Sequence, residues 1–288
     1  MKQLSLDKSK ILKKFDIFFN KYVWIIFLLI LVVGLYLRFY NIESIFTFGW
    51  DQGRDAWIVK EITEGKLTLI GPRTGVGHMH LGPIYYYLLV PFFYITNFDP
   101  MASNYFNILI NVVNYVIIFY VTKKLFNNYL GIFVIAIYTS SNYLITVNQV
   151  PWNVTAMPGI SALIFYSLYR SVQGHCKWIF VAWTLSGLFF HLHFTAIFLP
   201  VINLLSLLVA KDKRKVIKYS ILSIPLYLIW FLPNIIYEIQ TNSDSGMIKN
   251  FFNDYYIGFH LRFMLHRLPD ALIQFSAILY LKFFKNII

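Results

Sequence analysis

Apolar runs broken by short polar stretches recur along almost the whole chain. They fall near 22–40, 103–122, 130–147, 155–170, 178–194, 195–210, 217–236 and 269–287. Each approaches the roughly 20 residues that a helix needs to cross a bilayer, which predicts an all-α polytopic membrane protein with about eight transmembrane helices. A further apolar segment, 83–98 ("PIYYYLLVPFFYITNF"), is shorter, carries Pro91 in its middle and ends in polar residues. That composition suits a kinked, re-entrant or interfacial helix better than a crossing.

Charge tests this choice. With 83–98 not crossing, the N-terminus, the pair Lys123 and Lys124, and the cluster Lys211, Lys213, Arg214, Lys215 and Lys218 share one side. The positive-inside rule makes that side the cytoplasm. If 83–98 crossed, the largest basic cluster would lie outside. The same rule accounts for the net charge of +12 in a chain that is 58% hydrophobic, so nucleic acid is not needed as a partner. The single cysteine, Cys176, excludes an internal disulfide. The first apolar run is too long for a signal-peptide core and no small-residue cleavage site follows, so 22–40 reads as a retained span. The expected organisation is one transmembrane domain over 1–288: the first span, an extracytoplasmic loop over 41–102 with short interfacial helices, and the remaining spans over 103–287. Its expected location is the plasma membrane, multi-pass, with the N-terminus cytoplasmic.

Polar residues then gather on the extracytoplasmic side. In the first loop, Asp51 to Glu64 suits an amphipathic helix at the membrane surface, with Trp57, Ile58, Val59 and Ile62 towards lipid and Gly65 at its end. Asp51 and Asp55 are four apart and share a face, with Arg54 close by. Asp51 suits a helix cap as well as a reactive carboxylate, and Asp55 an ion pair with Arg54 or Lys60. "GPRTGVGHMHLGP" follows, bearing Arg73, His78 and His80; surface histidines outweigh metal ligands at this spacing. Asn104, Asn107, Asn111 and Asn114 form one helical stripe, read as hydrogen-bond glue between helices in preference to a polar cavity wall. Tyr85, Tyr86 and Tyr87 read as an interfacial aromatic belt. His191 and His193 lie on different helix faces, so at most one points into a site.

The stretches "WDQGRDA" (50–56), "LGPIYYYLL" (81–89), "VPWNVTAMP" (150–158), "GLFFHLHFTAIFLP" (187–200) and "FLPNIIYEIQ" (231–240) carry, in order and spacing, a resemblance to the GT-C membrane glycosyltransferases. The branch they resemble contains the protein O-mannosyltransferases and the lipid A aminoarabinose transferases. The resemblance implies a GT-C-like bundle and a polyprenyl- or dolichyl-phosphate sugar as donor, with the site on the extracytoplasmic face. It makes Asp51 the catalytic base or a metal-linked carboxylate. Gln52 stands where relatives often have a second acid, and Asn153 where they have another, which weakens a metal requirement. His193 aligns with a basic residue that contacts the lipid phosphate. The chain is short for that family and reads as a compact member, a fragment or one half of a split protein.

Sugar transfer from a lipid phosphate needs a carboxylate to take the acceptor's proton and cations or amides to receive the phosphate. Asp51 fits the first task. Arg54, Arg73, His80 and His193 fit the second, with Asp55, His78, Asn153 and Glu238 as further candidates for binding the donor or acceptor. A divalent cation is left open, with Asp51 and Asn153 as its ligands if one binds. The expected activity is that of a hexosyl or pentosyl transferase, inverting, with a lipid, glycan or protein as acceptor. The rival reading is a transporter or flippase for a lipid-linked glycan or other anion. It would favour inverted repeats and mid-membrane charges, and neither stands out in the sequence.

Overall fold

The computed structural model describes residues 2–46, 48–74 and 79–241. Their helices run in the order α1 (Lys2–Phe39), α2 (Ile42–Ile45), α3 (Trp50–Thr63), α4 (Ile84–Ile95), α5 (Ala102–Leu125) and α6 (Asn128–Ser140). There follow α7 (Asn142–Gln149), α8 (Met157–Val172), α9 (Trp178–Phe189), α10 (Leu199–Val209), α11 (Lys213–Leu228) and α12 (Leu232–Gln240). The chain divides into two units, one of 1–72 with 81–237 and the other of 73–80 with 238–288.

Polar punctuation starts the helices. The Asn127 side chain accepts the Leu130 amide at 2.9 Å to begin α6, and Ser141 accepts the Leu144 amide at 3.4 Å to begin α7. Asp212 does the same for Lys215 at 3.1 Å ahead of α11. Each such cap satisfies an amide that the first turn leaves open, worth about 1 kcal/mol. Proline occupies the first turn of both α8 and α10, where its missing amide costs nothing.

Among the described residues, Leu12–Phe39, Ala102–Leu125 and Lys213–Gln240 are long and apolar enough to cross a membrane. The pair α6 and α7 makes a fourth candidate, bent by 64°. The runs at 155–170, 178–194 and 195–210 form α8 and the shorter α9 and α10. The run at 269–287 lies outside the described residues. Helix α4 has 12 residues with Pro91 inside. At 1.5 Å per residue it reaches about 18 Å, well short of a roughly 30 Å apolar layer.

Only 28% of the α1 window is buried within the protein, and Leu29, Val32 and Val33 on it are exposed. Such a face is the one a membrane protein turns to lipid. Inside, apolar side chains form three clusters. Val23, Phe27 and Leu31 of α1 pack with Tyr115 and Phe119 of α5 and Ile135 of α6. Val59 and Ile62 of α3 pack with Tyr86, Leu89 and Phe93 of α4 and Phe106 of α5. Ile164 and Leu168 of α8 pack with Ile179 and Trp183 of α9 and Val216 of α11.

Lipid offers apolar side chains as good a home as a neighbouring helix does, so polar contacts hold much of the register. The asparagine stripe of α5 supplies them. Asn107 donates to the Asn148 carbonyl at 2.6 Å and Asn114 to the Thr155 carbonyl at 2.7 Å, while the Asn114 amide oxygen accepts from Gly159 N–H at 3.1 Å. Each such bond is worth about 0.6 to 2 kcal/mol.

Two expectations change. Val59 and Ile62 do not face lipid; both are buried against α4, and of the four apolar residues assigned to lipid on α3 only Trp57 is exposed, with Ile58 half-buried. The Tyr85–Tyr87 run is not a belt either. Tyr85 and Tyr86 are buried, and Tyr87, at the surface, donates its hydroxyl to the Thr68 carbonyl at 2.8 Å. The reason is shared: α3 and α4 bury their apolar faces in each other rather than in the bilayer.

Candidate functional site

The first turn of α3 gathers three charges. Asp51 and Arg54 stand one turn apart, and Arg54 Nη1 donates to Asp51 Oδ1 at 2.7 Å. The far edge of the same guanidinium donates to the neighbouring acid, with Nη2 at 2.7 Å and Nε at 3.0 Å from Asp55 Oδ1. Arg54 thus bridges the two carboxylates. They differ in access: the Asp51 side chain is 45% exposed and that of Asp55 only 5%. Asp51 is presented; Asp55 is held inside.

Burial pushes the Asp55 carboxyl up from 3.8 to about 6, with Arg54 opposing that rise and Asp51 adding to it. Burial alone would lower Arg54, but the charge of Asp55 and its hydrogen bonds raise it above its usual value, so it stays charged. Both groups move upward, because burial prevails for the carboxylate and pairing prevails for the guanidinium. The deeper group is the acid, and its upward direction follows from that depth. The Tyr86 hydroxyl is buried against this pair without completing a hydrogen bond of ordinary geometry. Tyr85 lies within electrostatic reach of both acids.

Gln52 fixes this turn in place. Its amide oxygen accepts the Gly49 N–H at 3.0 Å, and its NH2 donates to the Pro151 carbonyl at 2.9 Å. A carboxylate could do the first and not the second. The residue standing where an acid was expected therefore ties α3 to the "VPWN" turn.

That turn is tied onward. Asn153 is buried and donates to the Leu192 carbonyl, leaving its amide oxygen without a partner. Next to Leu192, His191 is buried between two backbone groups. Its Nδ1 accepts the Ile84 amide at 3.3 Å, so the proton sits on Nε2, which donates to the Trp230 carbonyl at 2.8 Å. Gly82 makes room for the ring, since a Cβ there would lie 2.0 Å from His191 Nδ1. His191 is thereby a structural node. His193 is half-buried; its Nδ1 accepts the Thr195 amide at 3.2 Å and caps the turn Phe194–Phe198, which leaves Nε2 open among the described residues.

A cavity of about 160 Å³ lies between α4, α5, α8 and α9. Tyr85, Ile110, Trp152, Asn153, Ile160 and Leu188 are among the residues that line it, almost all through apolar atoms. Tyr85 thus stands between this hollow and the acids of α3.

Of the remaining candidates, Arg73 and His80 face each other across an antiparallel bridge in the second unit. His78 lies outside the described residues. Glu238 is near the end of α12, half-exposed. Among the described residues, no group of three or more His, Cys, Asp or Glu side chains gathers as metal ligands. Of the proposed pair, Asp51 shares Oδ1 with Arg54, while Asn153 gives its NH2 to Leu192 and keeps its amide oxygen without a partner.

Gln52, Tyr85, Tyr86 and Trp152 border this candidate site and were not singled out for it in the sequence. Spacing held a signal for two of them. Gln52, Asp55, Val59 and Ile62 form one buried stripe at intervals of three and four, and Tyr86, Leu89 and Phe93 form its counterpart on α4.

The sequence model described as dolichyl-phosphate-mannose-protein mannosyltransferase matches residues 80–237. No curated protein and no solved structure matches the chain. The matched part holds α4 to α11, His80, Asn153 and His193, while Asp51, Arg54 and Asp55 precede it. A match over more than half of the 288 residues, on an all-helical bundle with membrane-length apolar helices, settles the family. The chain belongs to the dolichyl-phosphate-mannose-protein mannosyltransferase family, membrane glycosyltransferases of the GT-C fold that draw on dolichyl-phosphate sugars.

Proposed function

We propose that this chain moves a sugar from a dolichyl- or polyprenyl-phosphate donor to an acceptor hydroxyl at the extracytoplasmic face, with Asp51 as general base and inversion at the anomeric carbon. One observation carries the assignment: of the two acids that share Arg54, Asp51 is the exposed one, and its partner is locked from behind by buried Asp55. The acceptor O–H gives its proton to Asp51 while its oxygen bonds to the anomeric carbon. The bond from that carbon to the phosphate oxygen breaks, and the lipid phosphate departs with the electron pair. Arg54 and the open Nε2 of His193 supply charge for the departing phosphate. The apolar cavity beside Tyr85 suits the first isoprene units of the donor. His80, Arg73, His78, Asn153 and Glu238 remain proposed contacts to donor or acceptor.

In this reading the chain sits in the plasma membrane with its N-terminus cytoplasmic, and the short basic loops stay inside. A cysteine at Lys66 should react with an impermeant thiol reagent from outside, and one at Lys213 should not.

The direct test measures transfer in membranes from labelled dolichyl-phosphate mannose, comparing the native chain with Asp51→Asn at equal protein level. Loss of a general base lowers the rate about a hundredfold or more. Unchanged turnover in Asp51→Asn removes Asp51 from the mechanism.

A further inference from the structure

Arg38 stands next to the last residue of α1 and is wholly enclosed. No carboxylate pairs with it among the described residues. Its guanidinium meets backbone carbonyls instead: Nη2 donates to Tyr138 at 2.8 Å, and Nη1 to Thr139 at 3.1 Å and Gly34 at 3.2 Å. The rings of Tyr115 and Tyr138 lie 5.4 and 5.5 Å from its centre. A cation buried in a membrane bundle without a counter-ion is expensive, so its partners indicate what it does there.

Tyr138 and Thr139 belong to the last turn of α6, whose carbonyls have no partner within the helix and carry the negative end of its dipole. Arg38 satisfies two of them from a neighbouring helix. The contact is tightly fitted: a Cβ on Gly34 would lie 2.1 Å from the Tyr115 hydroxyl, which itself accepts from Thr139 Oγ1 at 3.2 Å. Immediately beyond, Ser141 starts α7 and the path turns by 64°. Helix α7 is pinned by the Asn107 bond to the Asn148 carbonyl and delivers Pro151, the residue that holds Gln52.

We infer that Arg38 is a positioning residue for Asp51: it caps α6 from inside the bundle, fixes the α6–α7 break, and through Pro151 sets where the first turn of α3 is anchored. The link to catalysis rests on the Asp51 reading; the lock itself does not. A planar fork between two rings and two carbonyls suits arginine, and lysine offers one point charge in its place.

The test uses the full chain with Cys176→Ser, and with Trp50→Cys and Trp152→Cys as exposed reporters either side of the Gln52–Pro151 bond. Cross-linking by a short bis-maleimide in membranes should fall about tenfold in Arg38→Met and less in Arg38→Lys, the size of effect expected for directly coupled positions. For transfer, Arg38→Lys should lower kcat and leave the donor KM alone. Its effect should vanish in a Gln52→Ala background, because the connection is already cut. Unaltered cross-linking in both Arg38 variants overturns the lock. Multiplying effects of Arg38→Lys and Gln52→Ala on kcat refute its route through Pro151. Cross-linking involves no sugar, so it reports on the lock even if Asp51→Asn proves neutral.

Discussion

Replacing Asp55 by asparagine probes the buried half of the acid–guanidinium–acid arrangement. Burial raises this carboxyl from 3.8 to about 6 in the folded protein. Between those values the native chain still holds a proton that the unfolded chain has released. The contribution of Asp55 to stability is therefore fully present below about pH 4 and is lost as the pH rises through about 6. A rise of that extent corresponds to about 3 kcal/mol, at roughly 1.36 kcal/mol per pH unit. Asparagine keeps the shape and one oxygen for Arg54 but does not titrate. Thermal unfolding in detergent, followed by tryptophan fluorescence at constant ionic strength, should show the native chain losing more stability than Asp55→Asn between about pH 4 and pH 6.5. The two curves should diverge by on the order of 5 °C in Tm. Every other titrating group is common to both proteins, so the difference isolates this one. Parallel curves would mean that pairing with Arg54 cancels the effect of burial on Asp55, and the claim that burial prevails there would fail.

Gln52→Glu should retain the bond to Gly49, lose the one to Pro151 and set a third carboxylate beside Asp51, lowering transfer about tenfold at equal protein level; Gln52→Ala in the same assay separates lost anchoring from added charge. Gly82→Ala drives a methyl group into the His191 ring, so folded yield by size-exclusion chromatography should collapse, whereas Gly53→Ala, whose Cβ would meet only the Phe48 ring at 3.5 Å on a helical backbone, should lose far less.

The membrane class could be read from run length, because bilayer thickness acts on sequence directly, and 83–98 holds the short, proline-bearing helix that its composition suggested. The Asp51–Arg54–Asp55 grouping was legible from helical spacing. What periodicity alone left open was the partner of each apolar face. Val59 and Tyr86 are greasy enough for lipid, and only the docking of α3 on α4 decides that each meets the other. Gln52 misled for a different reason: its value lies in offering an acceptor and a donor at once, to backbone groups 3 and 99 residues away. Arg38 gave no sign of its role, since nothing local reveals that it ends a helix 100 residues further on.

His191 carries one last implication. With a backbone amide on one ring nitrogen and a backbone carbonyl on the other, it has no vacant lone pair and no unshared proton. Such a ring forms no step in a proton relay. Under the proposed mechanism, a proton taken up by Asp51 passes to water at that side chain's own exposed face, and the immobilised histidine takes no part in carrying it inward.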